Sequence, residues 1–271
     1  MRITALHSYP VKGCHRIDHD EAQVEPWGLA GDRRWMVVDA DGVGITQRDT
    51  PRLTQLTARP RPGGLQLSAP GLPDLDLDEP TDGTEISVRV FRSKPMYPAR
   101  VADSEWMGKF LGLDARLAWQ PDPTTRPIPR TGLPDDSVSF ADGYPLLLAN
   151  TASLGAVNDW LLEGGDDPVP MHRFRPNLVV SGAPAWAEDD WIGQRLRIGD
   201  LTLRAEKPCD RCRVTTIDQE TGEAGRQPLH VLGKHRRFDK GLLFAINLTP
   251  DLAPGETGTI RVGDTLTVGS S

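Results

Sequence analysis

The chain has 271 residues and a mass of 29.7 kDa, enough for one large domain or two of medium size with a real core. Thirty-one Lys and Arg stand against 38 Asp and Glu, giving a net charge of −7 and a pI near 5.4. That balance argues against a general nucleic-acid or anionic-membrane binder while leaving room for a local basic pocket. A hydrophobic share of 38% with 27 glycines and 24 prolines favours short strands and turns over long helices. Cys14, Cys209 and Cys212 form an odd, sparse set that does not suit a disulfide framework. The N-terminus shows no apolar leader, and no apolar run approaches the roughly 20 residues of a membrane span. A reducing, cytoplasmic location with no membrane and no nucleic-acid partner is the expectation.

In chain order, period-two runs bounded by Gly, Pro and Asp predict strands at Ile3 to Leu6, Arg34 to Val38, Leu65 to Leu67, Leu75 to Leu77 and Ile86 to Phe91. Asp39-Ala40-Asp41-Gly42 reads as a tight turn. Trp106, Met107, Phe110 and Leu111, behind Asp103 or Ser104 as N-cap, predict a short helix. Prolines at 121, 123, 127, 129 and 134 mark a loop or domain boundary, within which Arg126 and Arg130 are either solvated linker charges or substrate-facing groups. Asn150-Thr151 caps a second helix with Leu154, Val157 and Leu161 on one face. Further strands follow at Asn177 to Val180, Leu196 to Ile198, Leu201 to Leu203, Val214 to Ile217, Leu242 to Leu248 and Thr259 to Val262. The fold class is mainly β with a few helices, a β-rich α+β chain with two main helices and two barrel-like or sandwich-like units, divided as residues 1–120 and 121–271.

The densest chemistry lies in Lys207-Pro208-Cys209-Asp210-Arg211-Cys212-Arg213-Val214-Thr215-Thr216. A dithiol redox pair wants a helix after the second cysteine, whereas here a β-branched run follows. A zinc site from Cys209, Cys212, His230 and His235 needs a longer gap than finger-like arrays use. A third reading has one thiolate bind a soft metal carried by an anionic cofactor whose phosphate is held by Arg211, Arg213, Arg33-Arg34 or Arg173 with Arg175. In the plainest reading both cysteines are small buried hydrophobes. Arg173, Arg175 and Asn177 read as a row on one side of an extended segment, which either grips a phosphate or covers a strand edge. Lys12-Gly13 offers a cation and a backbone amide near the N-terminus.

Together, Tyr9-Pro10-Val11-Lys12, Gly31-Asp32-Arg33-Arg34-Trp35, Thr46-Gln47-Arg48, Phe174-Arg175-Pro176-Asn177, Cys209-Asp210-Arg211-Cys212 with Thr215-Thr216 and Asp218, and Gly258 to Asp264 resemble the MOSC family. Its amidoxime-reducing branch joins an N-terminal β-barrel domain to a MOSC β-barrel domain. The resemblance implies a molybdenum-cofactor (Mo-molybdopterin) enzyme that reduces N-hydroxylated compounds with electrons from a separate protein. The alternative is a cofactor-binding or sulfur-carrier module without reductase turnover. It further implies Cys212 as the molybdenum ligand and Asn247 close to the metal. Lys12, Arg33, Arg175 and Asn177 would hold the pterin and its phosphate, with the backbone N–H of Gly13 beside them. Asp142, Gly143 and Tyr144 would line the pocket, and the Asp210-Arg211 backbone would approach the phosphate. Threonines after Cys212 would orient the thiolate. The chain departs from the family at Gly13, where relatives often have serine, at Tyr144, where a small polar residue is usual, and at Ala245, where glycine is often seen.

Overall fold

The computed structural model describes residues 1–90, 93, 95–128, 133 and 135–269. Phe91, Pro129, Arg130 and Pro134, named above, lie outside the described residues. The largest sheet runs Leu266–Gly269, Arg195–Ile198, Leu201–Asp210, Gly241–Pro250, Leu146–Asn150, Leu178–Ser181 and Arg2–Ser8, with Ile17–His19 beyond. Its ends meet. Arg2 bridges Thr265, Ile3 N–H donates to Asp264 O at 2.9 Å, and Leu266 N–H donates to Met1 O at 3.0 Å. The sheet therefore closes into a barrel, which removes its open edges. Leu6, Leu148, Leu178, Leu196, Leu203 and Leu248 fill the interior, all essentially inaccessible to water. Strand alternation puts such residues inside and polar neighbours out.

The N-terminal half has its own sheet, in the order Glu85–Val88, Tyr97–Asp103, Arg116–Trp119, Trp35–Val38 and Val11–Lys12, and a three-stranded sheet of Thr57–Arg61, Gly64–Ser68 and Leu75–Asp78. Helix α1, Glu105–Leu111, packs Trp106, Met107 and Phe110 between them. The carboxylate of Asp103, not the side chain of Ser104, accepts from the first-turn amides of Trp106 and Met107. Helix α2, Thr151–Glu163, starts where Asn150 Oδ1 accepts from Ala152 N–H at 3.1 Å. The turn at Gly42 forms with Asp39 Oδ1 accepting from Asp41 and Val43. No helix among the described residues is long and apolar enough to cross a membrane.

The two halves of the sequence exchange strands. Arg2–Ser8 and Ile17–His19 belong to the sheet otherwise built from residues 146–269, while Gly258–Arg261 pairs with Glu21–Glu25. Two expectations are corrected. Val214 to Ile217 is not a strand, because Arg213–Thr216 winds into a 3-10 turn on which Thr215 Oγ1 returns to Cys212 O. A third helix, α3, Leu229–His235, was not expected, since its short run shows only Val231 and Leu232 as buried anchors.

Candidate functional site

Along the rim of the barrel, two irregularities displace the strands that face the Cys209–Cys212 segment. Between Pro208 and Asp210 the partner strand carries one extra residue, and Ala245 in that bulge has φ of 69°. The Asp210 carboxylate accepts from Leu242 N–H at 3.0 Å. Gly241 (φ 114°) is required opposite it, because an added Cβ would lie 2.1 Å from the Asp210 carboxylate. Cys212 follows as the extended residue that opens the 3-10 turn.

These features form one wall of a cleft of about 170 Å³. All twelve site residues expected from the sequence line it: Lys12, Gly13, Arg33, Asp142, Gly143, Tyr144, Arg175, Asn177, Asp210, Arg211, Cys212 and Asn247. Ile45, Thr46, Gln47, Arg48, Phe174 and Cys209 also line it. Arg48 was not expected as a site residue, although it stands in a segment that carried the resemblance. Its Nη2 donates to Cys212 Sγ at 3.0 Å and lies 3.9 Å from Asp142 Oδ2. Gln47 and Gln219 exchange side-chain amide hydrogen bonds of 3.0 and 3.1 Å across the two halves of the chain, and no local pattern announces that pairing.

The cleft is strongly cationic. Lys12, Arg33, Arg48, Arg175 and Arg211 face only Asp142 and Asp210 among the carboxylates of its described lining. Buried polar groups hold these cations. Asp32, 1% exposed, accepts from Tyr9 N–H at 2.7 Å, from Arg33 Nη1 at 2.5 Å and from Asn177 Nδ2 at 3.2 Å. The guanidinium carbons of Arg33 and Arg175 lie 4.4 and 4.0 Å from the centroid of the Tyr9 ring. Burial pushes the Tyr9 phenol up to about 12, so the ring remains neutral between them. Arg175 Nη1 donates to Cys14 O and to Gln219 Oε1. Lys12 Nζ donates to Phe140 O at 2.8 Å and to Asp142 Oδ1 at 2.5 Å. Burial draws the Lys12 ammonium below its ordinary value, with Asp142 opposing. Enclosure would raise the Asp142 carboxyl, yet Lys12, Arg48 and Arg33 hold it well below the usual carboxylate range.

Several expected roles change. Arg175 is not in an extended row with Arg173: Met171–Phe174 is a 3-10 turn, Arg175 has φ of 55°, and Arg173 turns instead to Asp218. The side chain of Asn177 is fully engaged, accepting from Arg33 and Leu147 and donating to His7 O and Asp32, so it positions Arg33. The Arg211 N–H is committed to Leu242 O at 2.8 Å, so its backbone does not present that donor to the cleft. The Arg211 guanidinium instead donates to Cys209 Sγ and Phe174 O, and its Nε is buried without a partner. Thr215 and Thr216 bind the carbonyls of Cys212 and Arg213, which fixes the turn rather than the sulfur. Arg126 is neither a solvated charge nor substrate-facing: it is 5% exposed and donates to the carbonyls of Ser139, Ala141 and Asp142, fastening the loop behind Lys12. Arg34 binds Gln120 O and Pro121 O outside the cleft. His235 stacks on Trp160, and no group of three His, Cys, Asp or Glu side chains with metal-binding geometry occurs among the described residues.

Comparison with known proteins agrees with this layout. The model of the MOSC N-terminal beta barrel domain matches residues 1–114, and that of the MOSC domain matches residues 135–267. The chain belongs to the MOSC family. Mitochondrial amidoxime-reducing component 1 of Homo sapiens is 31% identical to this MOSC protein over 97% of the chain and 81% of the relative. The component 1 of Danio rerio is 32% identical over 97% and 83%. Molybdenum cofactor sulfurase of Oryza sativa subsp. japonica is 30% identical over 96% of the chain but only 34% of its own length. In this MOSC protein the segments around Lys12, Arg33, Gln47, Arg175 and Cys212 converge on the cleft, whereas Gly258 to Asp264 lies away from it and pairs with Glu21–Glu25.

Proposed function

We propose that this MOSC protein is a molybdenum-cofactor-dependent reductase that converts hydroxylamines and amidoximes to amines and amidines. One observation carries the reading: the Cys212 sulfur opens onto a cleft whose described lining has five cations and two carboxylates, within a chain of net charge −7. The residues present fit such a group. A cysteine sulfur suits a soft metal, guanidinium forks suit a phosphate, and the buried, partnerless Arg211 Nε is an orphan donor beside the cleft.

Bound there, the cofactor would supply the two electrons that reduce the substrate's N–O bond. The protein's own contribution is placement and charge. Cys212 would ligate the metal, held in position by the 3-10 turn and by the Arg48 hydrogen bond on its sulfur. Arg33 and Arg175, fixed on Tyr9, and Lys12 would neutralise the pterin phosphate. Asn247, whose Nδ2 is 3.4 Å from Lys207 O and Pro208 O, stands on the same wall as Cys212. The overall reaction consumes two electrons and two protons, breaks one N–O bond and releases water. The electrons come from a separate donor protein.

The test is metal analysis of protein made in a host that synthesises molybdenum cofactor. Stoichiometric molybdenum is expected in wild type and in Cys209→Ser and is expected to be lost in Cys212→Ser. Metal-free wild type under these conditions overturns the reading. Loaded protein that fails to reduce a hydroxylamine with a chemical reductant leaves the cofactor-binding or sulfur-carrier role instead.

A further inference from the structure

We infer that the end of α3 and the hairpin after it form the docking surface for an acidic one-electron carrier protein, a proposal that rests on the reductase reading above. Residues 234 to 240 read Lys-His-Arg-Arg-Phe-Asp-Lys, four Lys or Arg against one Asp in a chain whose total is −7. Arg236 turns inward and pairs with Asp189 at 2.5 Å. Lys234, Arg237 and Lys240 turn outward and are exposed. No ion pair is formed by these three among the described residues, and the nearest acidic member of the segment is Asp239 at the hairpin tip. Beside them Phe238 leaves 49% of its surface in water. An exposed aromatic in a segment of exposed like charges matches the composition of a transient interface that selects its partner by charge.

Two observations connect this surface to the cleft. The hairpin strand Arg237–Phe238 pairs with Gly241 and Leu242, and Leu242 exchanges hydrogen bonds with Asp210 Oδ1 and Arg211 N–H on the cleft wall. The side chains are also continuous. The Phe238 ring lies 4.9 Å from the Arg236 guanidinium carbon, which lies 4.2 Å from the Trp186 ring. Trp186 meets Phe244 edge-on at 6.2 Å, and Phe244 stacks at 3.8 Å on Phe174, which lines the cleft. A carrier seated on Phe238 therefore faces an unbroken chain of packed π systems that ends at the cofactor cleft. Each encounter delivers one electron, and two encounters supply the pair that, with two protons, turns R–NH–OH into R–NH2 and water.

The probe is a reduced acidic plant-type ferredoxin, used with the molybdenum-loaded protein. Binding by calorimetry and the KM for ferredoxin are measured at low and high salt, beside turnover driven by dithionite-reduced methyl viologen. The Lys234→Glu/Arg237→Glu/Lys240→Glu protein is expected to bind ferredoxin at least ten-fold more weakly, with a matching rise in KM and unchanged viologen-driven kcat. Lys240→Glu alone, at the exposed tip, is expected to show part of the same shift. Wild-type binding is expected to weaken steeply with salt. Unchanged binding in the triple variant, salt-insensitive binding, or capture of the protein by phosphatidylserine vesicles through the same three side chains overturns the docking surface. Silence of loaded wild type in the viologen arm overturns the reductase reading itself, so the two failures are distinct.

Discussion

The barrel interior is filled by Leu148, Leu178, Leu203 and Leu248, while the cleft at its rim is lined by Arg175, three residues before Leu178, and by Lys12 and Arg33 from the N-terminal half. The interior is held by removal of apolar surface from water, a non-directional force that tolerates exchange of one aliphatic side chain for another. The rim is held by hydrogen bonds with named partners, each of which leaves a buried charge exposed to low dielectric if it is broken. The contrast predicts that polar positions under the cleft are at least as costly to alter as the largest core leucines.

Asp32→Ala is the strongest way to break that comparison. It strands the Arg33 guanidinium, the Tyr9 amide and the Asn177 amide at once. Losing one partner of a buried ion pair costs about 3–5 kcal/mol. Urea unfolding is expected to show that loss; a change below about 1 kcal/mol would mean that the cations rest on the Tyr9 ring alone. Leu248→Ala, in the barrel, is expected to cost about 2–5 kcal/mol by transfer and cavity terms. The cleft should survive it, so molybdenum retention in the folded fraction should match wild type. Equal molybdenum loss in both variants would deny that rim and interior are separable.

The same division explains what could be read from the sequence. The Arg2–Ser8, Gly64–Ser68 and Arg195–Ile198 strands carry alternation, Gly241–Pro250 is a near-continuous apolar run, and α2 carries a cap and a 3.6-residue stripe. Those are local signals, and the elements appear where expected. The Cys212 to Thr216 segment misleads because β-branched residues prefer strands, whereas hydroxyl groups of Thr215 and Thr216 close a 3-10 turn on their own backbone. Arg175 misleads because the residue before proline is usually extended, yet here its left-handed backbone is held by guanidinium bonds to Cys14 O and Gln219. The convergence of residues 12, 33, 48, 142, 175 and 212 on one cleft depends on strand exchange between the halves. No local pattern contains that information, and only the family resemblance brought most of these residues together in advance.

Glu188 tests the rim's logic from the other side, because it is a buried carboxylate with no cation beside it. Asn150 Nδ2 donates to Oε2 at 3.1 Å, while Oε1 has no partner. Burial raises the carboxyl above its ordinary 4.5. The folded state thus binds this proton more tightly than the unfolded chain. Its contribution is fully present below the unfolded value and is lost as pH rises through the folded value. Glu188→Gln is expected to melt higher than wild type at pH 7, with the difference shrinking to nothing near pH 4. A difference that stays constant across that range, or that reverses sign, would show that the charged form is accommodated without penalty.

Ala245 is expected to give the smallest effect and the finest test. It sits in the bulge beside Asn247 with φ of 69° and is 2% exposed. Glycine there would relieve left-handed strain of about 1–2 kcal/mol. The exchange would also add unfolded-chain entropy worth about 0.4–1 kcal/mol and remove a buried methyl worth about 0.8 kcal/mol. These terms nearly cancel, so Ala245→Gly should leave the urea midpoint within the shift expected for about 0.5 kcal/mol. Ala245→Val should fall well below both, because a β-branched residue is a genuine outlier at that φ. If the valine protein is as stable as wild type, the bulge has flattened, and with it the offset that turns Asp210 toward Leu242.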